Sequence, residues 1–195
     1  MAKQSDNIIK NAMILFMITV IAGTLLGLTY EVTKEPIRIQ QEKLKNNALK
    51  AVVFEATDFT LVDLEASAND QGIENLYEAT KDGAIIGYAF EMTATEGYGG
   101  NIALMVGIGI EDQILGVDVI KHNETPGLGA KITEPAFKSE FEGRPIAPLT
   151  VTKGAPTGNP SDITSISGAT ITSVSVTNAV NVATQYYNDN MAGVN

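Results

Sequence analysis

The sequence predicts an α+β domain that follows a single N-terminal transmembrane helix. Twenty uncharged and mostly apolar residues fill positions 11–30. Beyond them, segments with the β-branched and apolar content of strands occupy the middle of the chain, and a helical pattern returns at 171–188. Because strands and helices do not alternate along the chain, the pattern favours an α+β domain over a βαβ fold.

Charge is distributed unevenly along the chain. The 195 residues include 13 Lys and Arg and 23 Asp and Glu, for a formal net charge of −10. Residues 1–50 hold seven bases and four acids (+3), whereas residues 51–195 hold six bases and 19 acids (−13). This difference indicates two parts in different surroundings. The acidic part is also a poor non-specific binder of nucleic acid, which requires Lys and Arg.

Composition excludes several kinds of metal and redox site. The chain has no Cys and a single His. A disulfide framework, a thiolate zinc site and a cysteine-ligated iron–sulfur cluster are therefore excluded. The sequence also contains no P-loop and no dinucleotide-binding fingerprint that opens a helix after a strand.

The apolar stretch at 11–30 has the length of a membrane span, because 20 helical residues extend about 30 Å. Tyr30 lies where an interfacial aromatic residue is expected. Gly23 and Gly27 have the spacing that lets a second helix approach closely, although glycine is common in membrane helices. A cleaved signal peptide and a buried core helix are the alternatives; the stretch is long for the first and lacks the polar face of the second. The flanking bases are nearly balanced and do not orient the helix.

The remaining elements follow from local patterns. A helix is predicted over 34–54, with Pro36 suited to its first turn, and 101–109 and 113–121 form a hairpin. The other predicted elements are strands near 75–79, 83–95 and 148–153, a short helix at 134–141, and loops at 97–100, 122–131 and 154–170.

The segment SISGATITS at 165–173 marks the point where a loop becomes the C-terminal helix. Its Ser and Thr residues are typical helix caps. A helix N-terminus also offers free N–H groups and the positive end of a dipole, so this segment can alternatively bind a phosphate near Gly168 and Ala169. In that interpretation the hydroxyl of Thr170 contacts the phosphate or bonds to it.

A second segment, HNETPGLG at 122–129, follows a predicted strand. Pro-Gly favours a tight turn, and Gly129 permits an unusual backbone angle. Taken alone, the segment is an ordinary connector, and His122 is a hydrogen-bonded loop residue rather than a catalytic base.

Five features taken together, in this order, resemble the FMN-binding domain family: GYGG at 97–100, the hairpin, HNETPGLGAKI at 122–132, KG at 153–154 and SGATITS at 167–173. Within this family the chain is similar to the G subunits of Rnf electron-transport complexes, which are related to the C subunits of sodium-translocating NADH:quinone reductases. The resemblance covers about residues 85–190 and includes the single anchor.

The resemblance implies that FMN is joined to the chain through a phosphoester at Thr170, which a separate flavin transferase attaches. Thr172 offers a second hydroxyl nearby. The other residues that the resemblance assigns to the cofactor are Tyr98, Glu124, Thr125, Gly127, Leu128, Lys153, Ser167, Gly168 and Ala169. Of these, Glu124, Thr125, Gly127 and Leu128 are expected beside the isoalloxazine ring, and Lys153 close to the flavin. No catalytic residue and no metal site are expected.

The chain departs from the family at one position. Many members carry an acidic residue six positions before the modified threonine, where this chain has Thr164. Asp162 lies two residues further back. Either recognition by the transferase is weakened or Asp162 takes the place of the missing acid.

The resemblance implies a membrane-anchored electron carrier in a ferredoxin:NAD⁺ oxidoreductase (Rnf) complex that couples electron flow to Na⁺ or H⁺ transport. The other Rnf subunits, the flavin transferase and membrane lipid are its expected partners. The chain then divides into a cytoplasmic N-terminus (1–10), a helix across the bacterial cytoplasmic membrane (11–30), a connecting helix (31–54) and an extracytoplasmic FMN-binding domain (55–195).

Two alternatives remain at this point: a stand-alone anchored flavoprotein that serves another extracytoplasmic reductase, and a non-redox surface module. For a flavin carrier, the −13 charge of the second part is expected to lower the flavin potential, with Lys153 opposing this effect locally.

Overall fold

A computed structural model describes residues 2–64 and 71–192, with side chains from residue 8 onward. The chain divides into two units, Met1–Leu44 and Lys45–Asn195. Helix α1 spans Ala2–Val52 without a break. The helix predicted over 34–54 is found as far as Val52, but Pro36 lies inside α1 and not in a first turn as expected. A proline removes a single N–H donor, and ion pairs of Arg38 with Glu35 (2.6 Å) and with Glu42 (2.5 Å) support the same turns.

The first unit contains the predicted membrane span. Among the described residues, one helix is long and apolar enough to cross a membrane by length and composition. Its apolar side chains are exposed; Leu15, Phe16 and Leu26, for example, are 63%, 68% and 72% accessible. An apolar helix of this length is stable in lipid because its backbone hydrogen bonds are all internal.

The second unit is built on a five-stranded antiparallel sheet with the strand order β1-β2-β3-β4-β5. Its strands are β1 (Asp58–Val62), β2 (Ile73–Lys81), β3 (Ala84–Ala94), β4 (Ile102–Gly109) and β5 (Gln113–Lys121). A short 3₁₀ helix (Gly129–Thr133) and helix α2 (Pro135–Lys138) follow, then a parallel pair, β6 (Thr150–Thr152) and β7 (Asp162–Thr164), and finally helix α3 (Thr170–Asn190). The α+β prediction, the hairpin and the C-terminal helix are confirmed, whereas β1 and β7 were not predicted.

Helix α3 covers one face of the sheet. Its apolar positions Val176, Val180, Ala183 and Tyr187 are buried, and they pack in one cluster with side chains of β2, β3 and β4 such as Phe90. The first turn of α3 is thereby fixed at the end of the sheet where β3 and β5 finish and β4 begins.

The last two turns of α1 belong to the second unit and cover the opposite face. Ala48, Leu49, Val52 and Val53 are buried in a cluster with Tyr77, Ala79, Ala89 and Met105. Gly107 permits this contact, because a Cβ at Gly107 would overlap the carbonyl oxygen of Val52. At the edge of the cluster, the Lys45 Nζ lies 2.6 Å from a Glu91 carboxylate oxygen, to which Asn75 also donates at 2.7 Å.

Candidate functional site

A cavity of about 520 Å³ lies at the first turn of α3. Three segments that are distant in sequence form it: the GYGG loop after β3, the ETPGLG loop after β5, and the start of α3. Its lining residues are Tyr98, Glu124, Thr125, Leu128, Gly129, Gly168, Ala169, Thr170, Ile171 and Thr172. The volume is within the range of about 300–1,000 Å³ that is typical of ligand pockets.

Glu124 joins the three segments of the cavity wall. Its side chain is 5% exposed. One carboxylate oxygen accepts a hydrogen bond from the Gly99 N–H at 2.9 Å, and the other accepts one from the Thr172 hydroxyl at 2.8 Å. The N–H of Glu124 donates to His122 Nδ1 at 3.1 Å, so His122 is a hydrogen-bonded loop residue as expected.

Gly129 is required by packing rather than by its backbone angle. The positive φ in this loop belongs to Gly127 (+76°), so the expected unusual angle at Gly129 is not found. A Cβ at Gly129 would instead overlap the Glu124 carboxylate and lie 3.0 Å from the Thr172 hydroxyl oxygen. Glycine therefore makes room for the bond between Glu124 and Thr172.

Gly129→Ala is expected to destabilise the second unit by about 1–3 kcal/mol, the usual cost of overpacking a tight interior. The reduction is measured by urea unfolding of the full chain in detergent. In a Glu124→Ala background the same substitution should cost less, because the overlapping carboxylate is absent. Equal costs in both backgrounds would contradict this explanation.

The start of α3 has the features of an anion site. Its N-cap residue, Ala169, offers no side-chain cap, so the N–H groups of the first turn remain available. The predicted Ser/Thr capping is therefore wrong at this position. Ser173 instead stabilises the preceding turn. Its hydroxyl accepts a hydrogen bond from the Ile166 N–H and donates one to the Ala169 carbonyl, both at 3.0 Å. Gly168 has a φ of +79°, which brings the backbone close to the cavity.

The two candidate hydroxyls differ in their surroundings. Thr172 is 1% exposed, and its hydroxyl donates a hydrogen bond to the Glu124 carboxylate. Thr170 is the first residue of α3, is half-buried and lines the cavity. No side-chain hydrogen bond holds its hydroxyl among residues 8–64 and 71–192. Of the two hydroxyls, that of Thr170 is therefore the one that no side chain engages at the cavity wall.

The structure brings together eight of the predicted cofactor residues: Tyr98, Glu124, Thr125, Leu128, Gly168, Ala169, Thr170 and Thr172. Three others, Gly127, Lys153 and Ser167, are exposed and do not line the cavity. Sequence reasoning missed Gly129 and Ile171 as lining residues. The position of Ile171 beside Thr170, at the start of α3, was the available sequence signal for its place in the lining.

Thr164, which replaces the acidic residue usual in the family, and the nearby Asp162 do not line the cavity. The Asp162 carboxylate is engaged by Thr157 (2.5 Å) and Asn159 (3.3 Å). The Thr164 N–H donates to a carboxylate oxygen of Glu140 at 3.3 Å. Within the described ranges, no group of three or more His, Asp or Glu could hold a metal ion.

The observed residues fit a phosphate-bearing aromatic ligand. An uncapped helix start and a free hydroxyl lie at one side, and the exposed apolar side chains of Tyr98 (72%) and Leu128 (45%) lie at the mouth. Residues 97–185, which include every lining residue of this cavity, match the FMN-binding domain family, so the class of protein is that of FMN-binding domains. Residues 1–52 match the RnfG N-terminal region.

Relatives extend this match over most of the chain. The G subunit of the Na⁺-translocating ferredoxin:NAD⁺ oxidoreductase complex of Acetobacterium woodii is 34% identical over 92% of this chain and 91% of its own. The G subunit of the ion-translocating oxidoreductase complex of Methanosarcina acetivorans is 35% identical over 93% of this chain and 95% of its own. The chain therefore belongs to the family of G subunits of ion-translocating oxidoreductase complexes.

Two solved structures share the fold. The C subunit of the Na⁺-translocating NADH-quinone reductase of Parabacteroides distasonis superimposes with a TM-score of 0.58 at 22% identity, covering 77% of this chain and 93% of that one. Shewanella oneidensis NqrC gives a TM-score of 0.51 at 21% identity, covering 66% and 65%.

Proposed function

We propose that this chain is the membrane-anchored electron-transfer subunit of a ferredoxin:NAD⁺ oxidoreductase (Rnf) complex and carries FMN covalently on Thr170. The observation that supports this most strongly is the contrast between two neighbouring threonines. The Thr170 hydroxyl lies on the cavity at an uncapped helix start, whereas the Thr172 hydroxyl is buried and donated to Glu124. Family membership supplies the cofactor class.

FMN, when bound, supplies a group that accepts and passes on electrons one at a time. The chain's residues hold and shield it. The Thr170 Oγ1 would hold FMN through the phosphoester bond, its proton leaving with the group that the transferase displaces from the phosphorus of its flavin donor, and the first N–H groups of α3 would bind the remaining phosphate oxygens. Tyr98, Leu128 and Ile171 would supply apolar surface to the bound group. An electron carrier of this kind needs no acid or base of its own.

The proposed partners follow from the complexes to which the relatives belong. The Acetobacterium woodii and Clostridium ljungdahlii relatives belong to complexes called Na⁺-translocating and proton-translocating, respectively. By analogy this chain assembles with the other Rnf subunits, and its coupling ion is Na⁺ or H⁺. A separate flavin transferase attaches the FMN.

Topology is part of the same proposal. The chain divides into a cytoplasmic segment at 1–10, a transmembrane helix at 11–30, a connecting helix at 31–54 and an extracytoplasmic domain at 55–195. The side assigned to each part rests on the family resemblance, because the bases that flank the helix are nearly balanced.

The absence of native Cys allows a direct test of this topology. Glu142→Cys, at an exposed position of the domain, should react in intact cells with a maleimide that does not cross membranes. Lys3→Cys, in the segment proposed to be cytoplasmic, should react only after the cells are opened. The reverse pattern of labelling would overturn the proposed orientation.

The flavin proposal is tested by co-expression with a flavin transferase. Membranes should then contain a band of this chain's mass that fluoresces as flavin after denaturing electrophoresis. The same chain without the transferase should be dark, which serves as the control. A band that stays dark with an active transferase would instead favour a non-redox surface module.

A further inference from the structure

We propose that the buried carboxylate of Glu124 is the main local determinant of the flavin's reduction potential and holds that potential low. This inference rests on the proposed function, since it concerns a flavin in the cavity at Thr170. It assigns to one side chain an effect that the sequence attributes only to the net charge of the whole domain.

Glu124 differs from the other acidic residues in burial. Among residues 8–64 and 71–192, it is the one acidic side chain in the buried class, at 5% exposure. Solvated carboxylates are screened by water and salt beyond about 10 Å at 0.1 M ionic strength. A charge inside the cavity wall acts through a medium of lower dielectric, so its effect on a neighbouring group is larger.

The hydrogen bonds of Glu124 hold its carboxylate in a fixed position. Both oxygens act as acceptors, one for the Gly99 N–H at 2.9 Å and one for the Thr172 hydroxyl at 2.8 Å. The two donors also lie on different elements, so the carboxylate cannot rotate away from the cavity without losing one of them.

No ion pair of the described ranges involves Glu124. The ion pairs formed there join other residues, and Lys153, which was expected to oppose the acidic field, is exposed and does not line the cavity.

The consequence for a bound flavin follows from Coulomb's law. Reduction adds electrons to the ring system, and a fixed negative charge in the cavity wall raises the free energy of the more negative form. The potential is therefore lower than it would be with a neutral side chain, and the carrier is a stronger electron donor.

The test compares two isosteric substitutions, Glu124→Gln and Glu96→Gln. Glu96 lies beside the GYGG loop but is exposed, so it is the matched control. Each full chain is co-expressed with the flavin transferase and purified in detergent, and its FMN content is confirmed by mass. The midpoint potential is then measured by spectroelectrochemical titration at low and high salt.

Glu124→Gln is expected to raise the potential, with at least a tenfold change in the reduction equilibrium, which is about 30 mV for the full two-electron couple and about 59 mV for a one-electron step. The shift should persist at high salt, whereas Glu96→Gln should leave the potential unchanged. An unchanged potential in Glu124→Gln, or an equal shift in Glu96→Gln, would overturn the inference and leave the proposed function intact. A wild-type chain without FMN would overturn the proposed function itself.

A second pair keeps the inference testable if Glu124→Gln does not hold flavin. Thr125→Lys introduces a cation on a cavity-lining residue next to Glu124, whereas Thr133→Lys introduces the same charge on an exposed residue outside the lining. The first should raise the potential and the second should not. Melting temperatures of the chains expressed without transferase report whether each variant folds. Equal potentials in the two folded Lys variants would contradict the inference.

Discussion

Thr170→Ala should abolish covalent flavin attachment. The substitution removes the one hydroxyl of α3 that lines the cavity without being donated to another side chain. The loss should be complete rather than partial, because no phosphoester forms without an acceptor oxygen. In-gel flavin fluorescence of the chain co-expressed with its transferase measures the result.

Thr172→Val is the matched control for this loss. It removes a hydroxyl two residues away and keeps the branched shape of a side chain that is 1% exposed. Attachment to Thr170 should survive in this variant, although the Glu124 carboxylate loses a donor. Fluorescence that persists in Thr170→Ala and vanishes in Thr172→Val would assign the modification to Thr172.

Removal of the end of α1 should unfold the second unit. A chain that begins at Lys45 keeps the last turns of α1, which cover the face of the sheet opposite to α3. A chain that begins at Glu55 lacks these turns. Leu49, Val52 and Val53 are each at most 4% exposed. Burying a side chain of this kind is worth about 1.5–3 kcal/mol, so their loss is comparable to the total stability of about 5–15 kcal/mol of an ordinary domain.

Thermal melts followed by circular dichroism measure this effect. The chain from Lys45 should melt cooperatively, and the chain from Glu55 should show no cooperative transition or one at a much lower temperature. Two similar melting temperatures would show that residues 45–54 are only a connection to the anchor. This prediction also places the start of the folded unit ten residues before the boundary expected from the sequence.

Strong local patterns made much of the fold predictable. The hairpin formed by β4 and β5 was predicted because two apolar, β-branched runs flank a short turn, in which Asp112 adopts a φ of +57°. Strand β7 is three residues long and lies in a segment rich in Gly and Pro, so its pairing with β6 depends on contacts that a local pattern does not contain. Pro36 was read as a first-turn residue because proline is favoured there, whereas it lies in the interior of α1.

The sequence predicted most of the individual site residues but not the contacts between them. The SGAT motif pointed to Thr170 and the helix start through family resemblance. The bond between Glu124 and Thr172 joins residues 48 positions apart, and no spacing rule contains it. The motif match favoured Thr170 over Thr172, but it did not contain the contact that engages the Thr172 hydroxyl, and Gly129 was only a flexible position. Lys153 was expected near the flavin, but the fold leaves it outside the cavity lining.

The central claim is tested most directly by the mass of one peptide. No Lys or Arg follows Lys153, so trypsin releases residues 154–195 as a single C-terminal peptide. After co-expression with the flavin transferase, this peptide should gain the mass of one FMN less one water, and fragment ions should place the gain on Thr170. An unmodified peptide from a culture with active transferase, or a gain on another residue, would contradict the account.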